Sequence, residues 1–77
     1  MGENSVKKVI KVIKALDIEL TKLKVSYDED SDNVIVRFSA DDASYAYDTI
    51  INALYDEDIY EVDSSVGDTQ GKIYLEV

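Results

Sequence analysis

The chain has 77 residues, with eight Lys and Arg against seventeen Asp and Glu, so its formal net charge is −9. Apolar residues make up 45 % and charged residues 32 %, which is typical of a globular protein and argues against a disordered chain. A chain of this length has room for one hydrophobic core, so we expect a single domain over residues 1–77.

Two missing residue types narrow the range of functions. The chain contains no Cys and no His. It therefore has no disulfides, no thiolate metal ligand, no cysteine nucleophile and no imidazole base. A Ser–His–Asp triad is excluded for the same reason. We expect no enzymatic activity, no cofactor and no metal site, and the absence of disulfides favours a cytoplasmic location. No apolar run approaches the roughly 18 residues of a membrane span, so no membrane partner is expected.

Residues 6–16 have the pattern of an amphipathic helix. Apolar side chains occupy one arc of the helical wheel and four lysines the other. Asn4 or Ser5 is the predicted N-cap, and the helix is predicted to end near Leu16 or Asp17. A longer coiled-coil helix reaching Leu23 is the alternative. It would place Asp17 in the apolar arc, which argues against it.

A change of period from 3.6 to 2 after this helix predicts a β-hairpin. Residues 18–27 alternate, with a phase change that a bulge near Thr21–Lys22 would explain. The polar run 28–33 is typical of a turn. Alternation then resumes over 34–38, with Val34, Val36 and Phe38 on the inner face.

The second half of the chain repeats this order. Residues 39–42 resemble a capping box, followed by a helix with one apolar arc. Its predicted inner residues are Ala43, Ala46, Tyr47, Ile50, Ile51, Ala53 and Leu54. Residues 59–65 and 72–77 predict a second hairpin across the turn 67–71. The residues of this hairpin that most clearly alternate towards the core are Ile73, Leu75 and Val77.

The predicted element order is α-β-β-α-β-β, which indicates an α+β fold. We expect two layers, with a four-stranded antiparallel or mixed sheet and two helices on one face. Residues 12–16 resemble 50–54 at an offset of 38, and the strands 34–38 and 73–77 match at an offset of 39. This spacing suggests duplication of an αββ unit, although amphipathic helices also resemble one another by chance.

Two charged segments are candidate ligand sites. Asp28, Asp30 and Asp32 have the spacing that opens a calcium loop. Asn33 and Ser39 occupy the positions where such a loop needs Gly and Glu, so a solvated turn is the simpler interpretation, and cation binding stays open. The helix lysines give residues 1–26 a net charge of +3, but residues 27–77 carry −12. We therefore expect no direct nucleic-acid partner.

Tyrosines on polar surfaces are the best candidates for partner binding. On the second helix, two tyrosines lie among acidic and amide side chains, which suits a basic protein partner. These residues are Tyr45, Asp48, Asp41, Asn52, Tyr55 and Asp56. The sharpest form of this hypothesis is an inhibitor that imitates nucleic-acid phosphates towards a nucleic-acid-binding protein.

The sheet face without helices is the alternative surface. Ile35, Arg37 and Tyr74 are predicted to line it, and a homodimer through this face would make the protein a structural one. The plain explanation of these residues is the ordinary preference of aromatic and β-branched side chains for strands.

Overall fold

The computed structural model describes residues 2–76, in which each of two helices is followed by a β-hairpin. Helix α1 spans Gly2–Lys14 and helix α2 spans Ala43–Asp56. Helix α1 begins before Asn4, so the predicted N-cap at Asn4 or Ser5 is wrong. Asn and Ser favour an N-cap position but do not prevent a helix from starting earlier. The helix also ends short of Leu16, whose N–H closes a tight final turn on the carbonyl of Ile13 at 3.1 Å. The coiled-coil alternative is therefore wrong.

Four seven-residue strands form one antiparallel sheet, as the α+β prediction expects. The strands are β1 (Lys22–Asp28), β2 (Asn33–Ser39), β3 (Tyr60–Val66) and β4 (Gln70–Glu76). Their order across the sheet is β1-β2-β4-β3, and every neighbouring pair is antiparallel. Strands β2 and β4 are central, so β1 and β3 form the two edges.

The predicted bulge near Thr21–Lys22 is wrong, because residues 18–20 are irregular and β1 starts at Lys22. Ile18 and Leu20 pack against the core from this loop, which explains their apolar character without a strand. The sheet has its irregularity in β3, where Glu61 pairs with Leu75 and Asp63 with Tyr74, leaving Val62 as an extra residue. This is a β-bulge on an edge strand.

The core lies between the helices and one face of the sheet. Val34, Val36 and Phe38 of β2 are buried together with Ile73 and Leu75 of β4, as predicted. Val77, the third predicted member of the β4 set, lies outside the described residues. The helices cover this face with a set of buried aliphatic side chains: Val9, Ile13, Ala43, Ala46, Ile50, Ile51 and Leu54. The opposite face carries no helix.

Helix α2 begins with a different cap from the predicted one. The carboxylate of Asp42 accepts a hydrogen bond from the Tyr45 N–H at 3.1 Å, which makes Asp42 the N-cap. The capping box at residues 39–42 is wrong because Ser39 belongs to β2 and the Ala40 N–H donates to the Thr69 carbonyl at 2.9 Å. This hydrogen bond holds Ala40 against the β3–β4 turn, so the helix begins only after it, at the Asp42 cap.

The C-terminus of α2 is a Schellman motif. The Ile59 N–H donates to the Leu54 carbonyl at 2.9 Å, and the Asp58 N–H to the Tyr55 carbonyl at 3.0 Å. Asp58 is left-handed, with φ 59°. Ile59 is buried and anchors the entry into β3 beside the end of the helix.

The two αββ units have a symmetric arrangement. A twofold axis perpendicular to the sheet would reverse strand direction and exchange β2 with β4 and β1 with β3. The antiparallel β2–β4 pair and the order β1-β2-β4-β3 meet both conditions. The fold is thus compatible with the duplication that the sequence offsets suggest.

Candidate functional site

The polar surface of α2 brings together most of the residues predicted to bind a partner. Positions 45, 48, 52, 55 and 56 fall within an arc of roughly 100° on an ideal helix. All five side chains are exposed, with Tyr45 at 64 % and Tyr55 at 44 % of their full accessibility. Asp41 is also exposed but precedes the Asp42 cap, so it lies beyond the helix. We call this arc the α2 surface.

A third exposed tyrosine extends this surface onto β3. Tyr60, 48 % exposed, begins the strand, and its ring lies 5.4 Å from that of Tyr55, centroid to centroid, at an interplanar angle of 45°. The Tyr60 hydroxyl donates to Asp58 at 3.2 Å, and this hydrogen bond to a carboxylate raises the pKa of Tyr60. Sequence reasoning missed Tyr60 because only the tight Schellman turn brings residue 60 back beside residue 55.

Tyr47 fixes α2 against the sheet. The sequence predicts it as a core residue, and the structure places it half-buried against the core. Its hydroxyl donates to the Glu61 carboxylate and accepts a hydrogen bond from the Ser64 hydroxyl at 3.4 Å. Burial and the hydrogen bond to Glu61 both raise the pKa of Tyr47. This residue therefore positions the α2 surface rather than belonging to it.

The open sheet face contains Ile35, Arg37 and Tyr74, as the alternative hypothesis expects. Their neighbours along the strands are the buried residues of β2 and β4, so alternation turns these three side chains away from the helices. Ile35 pairs with Tyr74, and Arg37 pairs with Lys72. The Lys72 ammonium lies 5.0 Å from the centroid of the Tyr74 ring, a cation–π contact.

The same face collects half of the protein's cations. Lys22 and Lys24 of β1 join Arg37 and Lys72, so four of the eight basic residues line one shallow depression of about 560 Å³. Polar groups of Ser39, Ser65 and Gln70 complete its rim. We call these four cations the basic cluster. The sequence signal is faint, because the members are spread over fifty residues and only the strand order brings them together.

The carboxylates of the β1–β2 turn are engaged within the turn. Asp28 accepts hydrogen bonds from the Asp30 N–H at 3.1 Å and the Ser31 hydroxyl at 2.9 Å. Asp32 is left-handed, with φ 58°, and accepts a hydrogen bond from the Tyr27 hydroxyl. That bond raises the pKa of Tyr27. Among residues 2–76, no group of three or more acidic side chains is placed to hold a metal ion.

Two findings complete the description of these surfaces. In the part of the chain that the structure describes, neither helix has the length and apolarity that crossing a membrane requires. Comparison of the chain with protein-family models, with curated proteins and with solved structures finds no match.

Proposed function

We propose that the protein is a non-enzymatic binding module whose α2 surface docks on a basic protein. The observation that carries this proposal is the exposure of Tyr45, Tyr55 and Tyr60 among carboxylates. Contiguous exposed apolar patches often mark interaction sites, and tyrosine is enriched among the residues that contribute most to binding at protein interfaces.

Folding gives no reason for these rings. Helix α2 buries Ala46, Ile50 and Leu54 completely or nearly so, while Tyr45 points to solvent. A tyrosine ring has only two side-chain torsions, so it supplies contact area with a small loss of entropy on binding. Asp48 and Asp56 beside the rings would steer a positively charged partner towards them.

The charge of the whole chain supports a sharper version, in which the partner is a nucleic-acid-binding protein. A net charge of −9 on 77 residues creates a negative electrostatic field. This field would attract a protein whose basic surface binds polyanions. Under this version the carboxylates of the α2 surface stand in for phosphates, and docking blocks the partner's nucleic-acid site. Inhibition of the partner is then the biological result.

Photocrosslinking tests the proposed surface without knowledge of the partner. We expect a benzophenone side chain at position 45 to crosslink a basic protein in extract of the natural host. The same group at position 14, exposed at the end of α1 and outside the groove that α1 shares with Asp56, is the matched control. Crosslinking at position 14 and not at 45 would contradict the proposal.

The purified partner then allows a quantitative test. Tyr45→Ala combined with Asp48→Lys should weaken binding by at least about 2 kcal/mol, the usual threshold of a hot spot. The melting temperature should stay within a few degrees, because both side chains are exposed. Normal binding by this variant, with loss of binding in Tyr74→Ala, would place the functional surface on the open sheet face instead. Restored nucleic-acid binding of the partner in the presence of the double variant would support the inhibitor version.

A further inference from the structure

The open sheet face has charges of opposite sign at its two ends. Side chains on this face form rows that run across the strands, as the pairing registers show. One row, the basic row, contains Lys24, Arg37, Lys72 and Ser65. The next row, the central row, contains Ser26, Ile35, Tyr74 and Asp63. The third, the acidic row, contains Asp28, Asn33 and Glu76. Tyr60 pairs with Glu76 at the β3 end of this row, but its ring packs against Tyr55 of α2 and so leaves the face.

This layout is complementary to itself. A twofold axis lying in the plane of the face, along the central row, turns a second copy over and exchanges its two ends. Each strand then lies against the same strand of the second copy, and each basic row lies against an acidic row. Lys24 meets Asp28 of the second copy, and Lys72 meets Glu76. Because a twofold contact is reciprocal, each of these ion pairs forms twice.

We infer that the protein forms a homodimer through its open sheet face, with the twofold axis along the central row. Ile35 and Tyr74 are adjacent on β2 and β4 and lie at the centre of this contact. They supply its apolar area, and the charge pairs surround them. An apolar centre with a polar rim is the usual anatomy of a protein interface.

The area of the face limits how strong the dimer can be. Four strands of seven residues cover roughly 450 Å² on each copy, or about 900 Å² for the pair, from standard strand spacing and rise. Specific interfaces bury about 1,000 Å² or more in total, so this face falls just below that limit, in the range of weak and transient contacts. We expect a reversible dimer with a dissociation constant on the order of 10–100 µM.

Two alternatives, another dimer axis and another ligand, fit the charges less well. A twofold axis parallel to the strands would place the basic row of one copy against the basic row of the other, so that Arg37 meets Lys72. A polyanion would meet the basic cluster, but the rest of the chain carries a net charge of −13 once those four cations are set aside. Long-range repulsion disfavours a large polyanion. A second copy supplies carboxylates at matching positions.

The axis also creates one unfavourable contact. Asp63 lies at the β3 end of the central row, so the axis brings it close to Asp63 of the second copy. Asp63 is exposed, and water screens much of this repulsion. The contact provides a distinctive test, since removing the charge should strengthen the dimer.

Analytical ultracentrifugation over a wide range of concentration tests the inference by charge reversal. Lys72→Glu and Glu76→Lys should each raise the dissociation constant by about tenfold, because each replaces two attractive pairs with repulsive ones. The variant with both substitutions restores the pairs in reversed order and should regain the wild-type constant. Asp63→Asn should lower the constant. Recovery in the double variant is the result that a purely structural role of either residue would not give.

Matched controls separate local pairing from net charge. Lys8→Glu on α1 and Glu19→Lys in the loop after it change the net charge equally, at exposed positions away from the open face. We expect both to leave the dissociation constant within about twofold. A wild-type chain that stays monomeric at millimolar concentration would overturn the inference. Binding of tripolyphosphate or a single-stranded oligonucleotide to that monomer, lost in Lys72→Glu, would assign the basic cluster to an anion instead.

Discussion

Gly71 is a position in the sheet with no room for a larger side chain. It pairs with Phe38, whose ring covers it on the core side of the sheet. A Cβ at position 71 would lie 2.3 Å from Cζ and 2.5 Å from Cε1 of that ring. The ring is buried between the sheet and the helices and has little room to move aside.

We expect Gly71→Ala to lower the free energy of unfolding by about 2–3 kcal/mol, the range for overpacking a core. Urea denaturation measures the change. Gly67→Ala is the matched control, because its Cβ would lie at an ordinary 3.7 Å from the Gln70 carbonyl oxygen. Equal stability of the two variants would show that the Phe38 ring relocates without cost.

Ionisation of Tyr47 should make the free energy of unfolding depend on pH under alkaline conditions. Its pKa is raised from the ordinary value of 10.0, chiefly by burial and by the hydrogen bond to Glu61. A raised pKa means that the folded state favours the neutral phenol. The stabilisation is therefore complete below about pH 10 and is lost as pH rises through the folded-state pKa.

The variant Tyr47→Phe has no phenol to ionise. We expect its free energy of unfolding to fall less steeply than that of the wild type above about pH 10, although it starts lower at neutral pH. Urea denaturation at several pH values measures both slopes. Tyr27 and Tyr60 also have raised pKa values, so part of the wild-type slope should persist in the variant. Identical slopes would show that Tyr47 does not contribute.

At the scale of the helix, the left-handed residue Asp58 limits the stability of α2. The Schellman motif needs a positive φ at this position, which costs an L-residue about 1 kcal/mol and glycine little. We expect stability in the order Asp58→Gly, wild type, Asp58→Ala, with about 1 kcal/mol between the extremes. Thermal and urea denaturation measure the order. A more stable alanine variant would contradict it.

The helices and strands show which features of the sequence were sufficient to predict the fold. The inner faces of both helices and of β2 were predictable because burial of apolar side chains leaves a strong period. The helix starts were not predictable in the same way. Asn4 and Ser39 both have good capping chemistry, but Asn4 lies inside α1 and Ser39 belongs to β2. The Ala40–Thr69 hydrogen bond that displaces the cap to Asp42 joins residues distant in sequence. No local pattern contains it.

At the scale of the whole molecule, charge is segregated. Four cations line α1 and four form the basic cluster, while most of the acids lie on α2, on β3 and in the turns. Among these, the end of α2 lies close to the α1 lysines, since Asp56 and Glu57 share a groove with Lys7, Lys8 and Lys11. Self-repulsion within the acidic part should therefore oppose folding at low ionic strength. Salt shortens the reach of that repulsion to about 8 Å at physiological concentration.

We expect the melting temperature to rise between low salt and about 0.3 M NaCl. Differential scanning calorimetry measures the shift. A variant that combines Glu19→Lys with Glu57→Lys has less net charge and should show a smaller rise. A flat or falling melting temperature in the wild type would mean that local attraction outweighs the net repulsion.

The candidate sites were predictable to the extent that they lie on one element. The α2 surface follows from helical spacing alone, and the exposure of Tyr45 and Tyr55 confirms that part of the prediction. The open-face residues followed from alternation. The basic cluster and the Tyr55–Tyr60 contact required the order β1-β2-β4-β3 and the turn after α2, which depend on tertiary structure.

The bulge at Val62 has a consequence for aggregation. The two edge strands carry opposite charge, with Lys22 and Lys24 on β1 and Glu61 and Asp63 on β3. Edges of opposite charge favour edge-to-edge pairing of β1 of one copy with β3 of the next. Because this contact joins two different surfaces, it would continue from copy to copy into a fibre instead of closing. The extra residue interrupts the regular spacing of backbone donors and acceptors along β3. The bulge thus protects an acidic edge that charge alone would leave open to polymerisation.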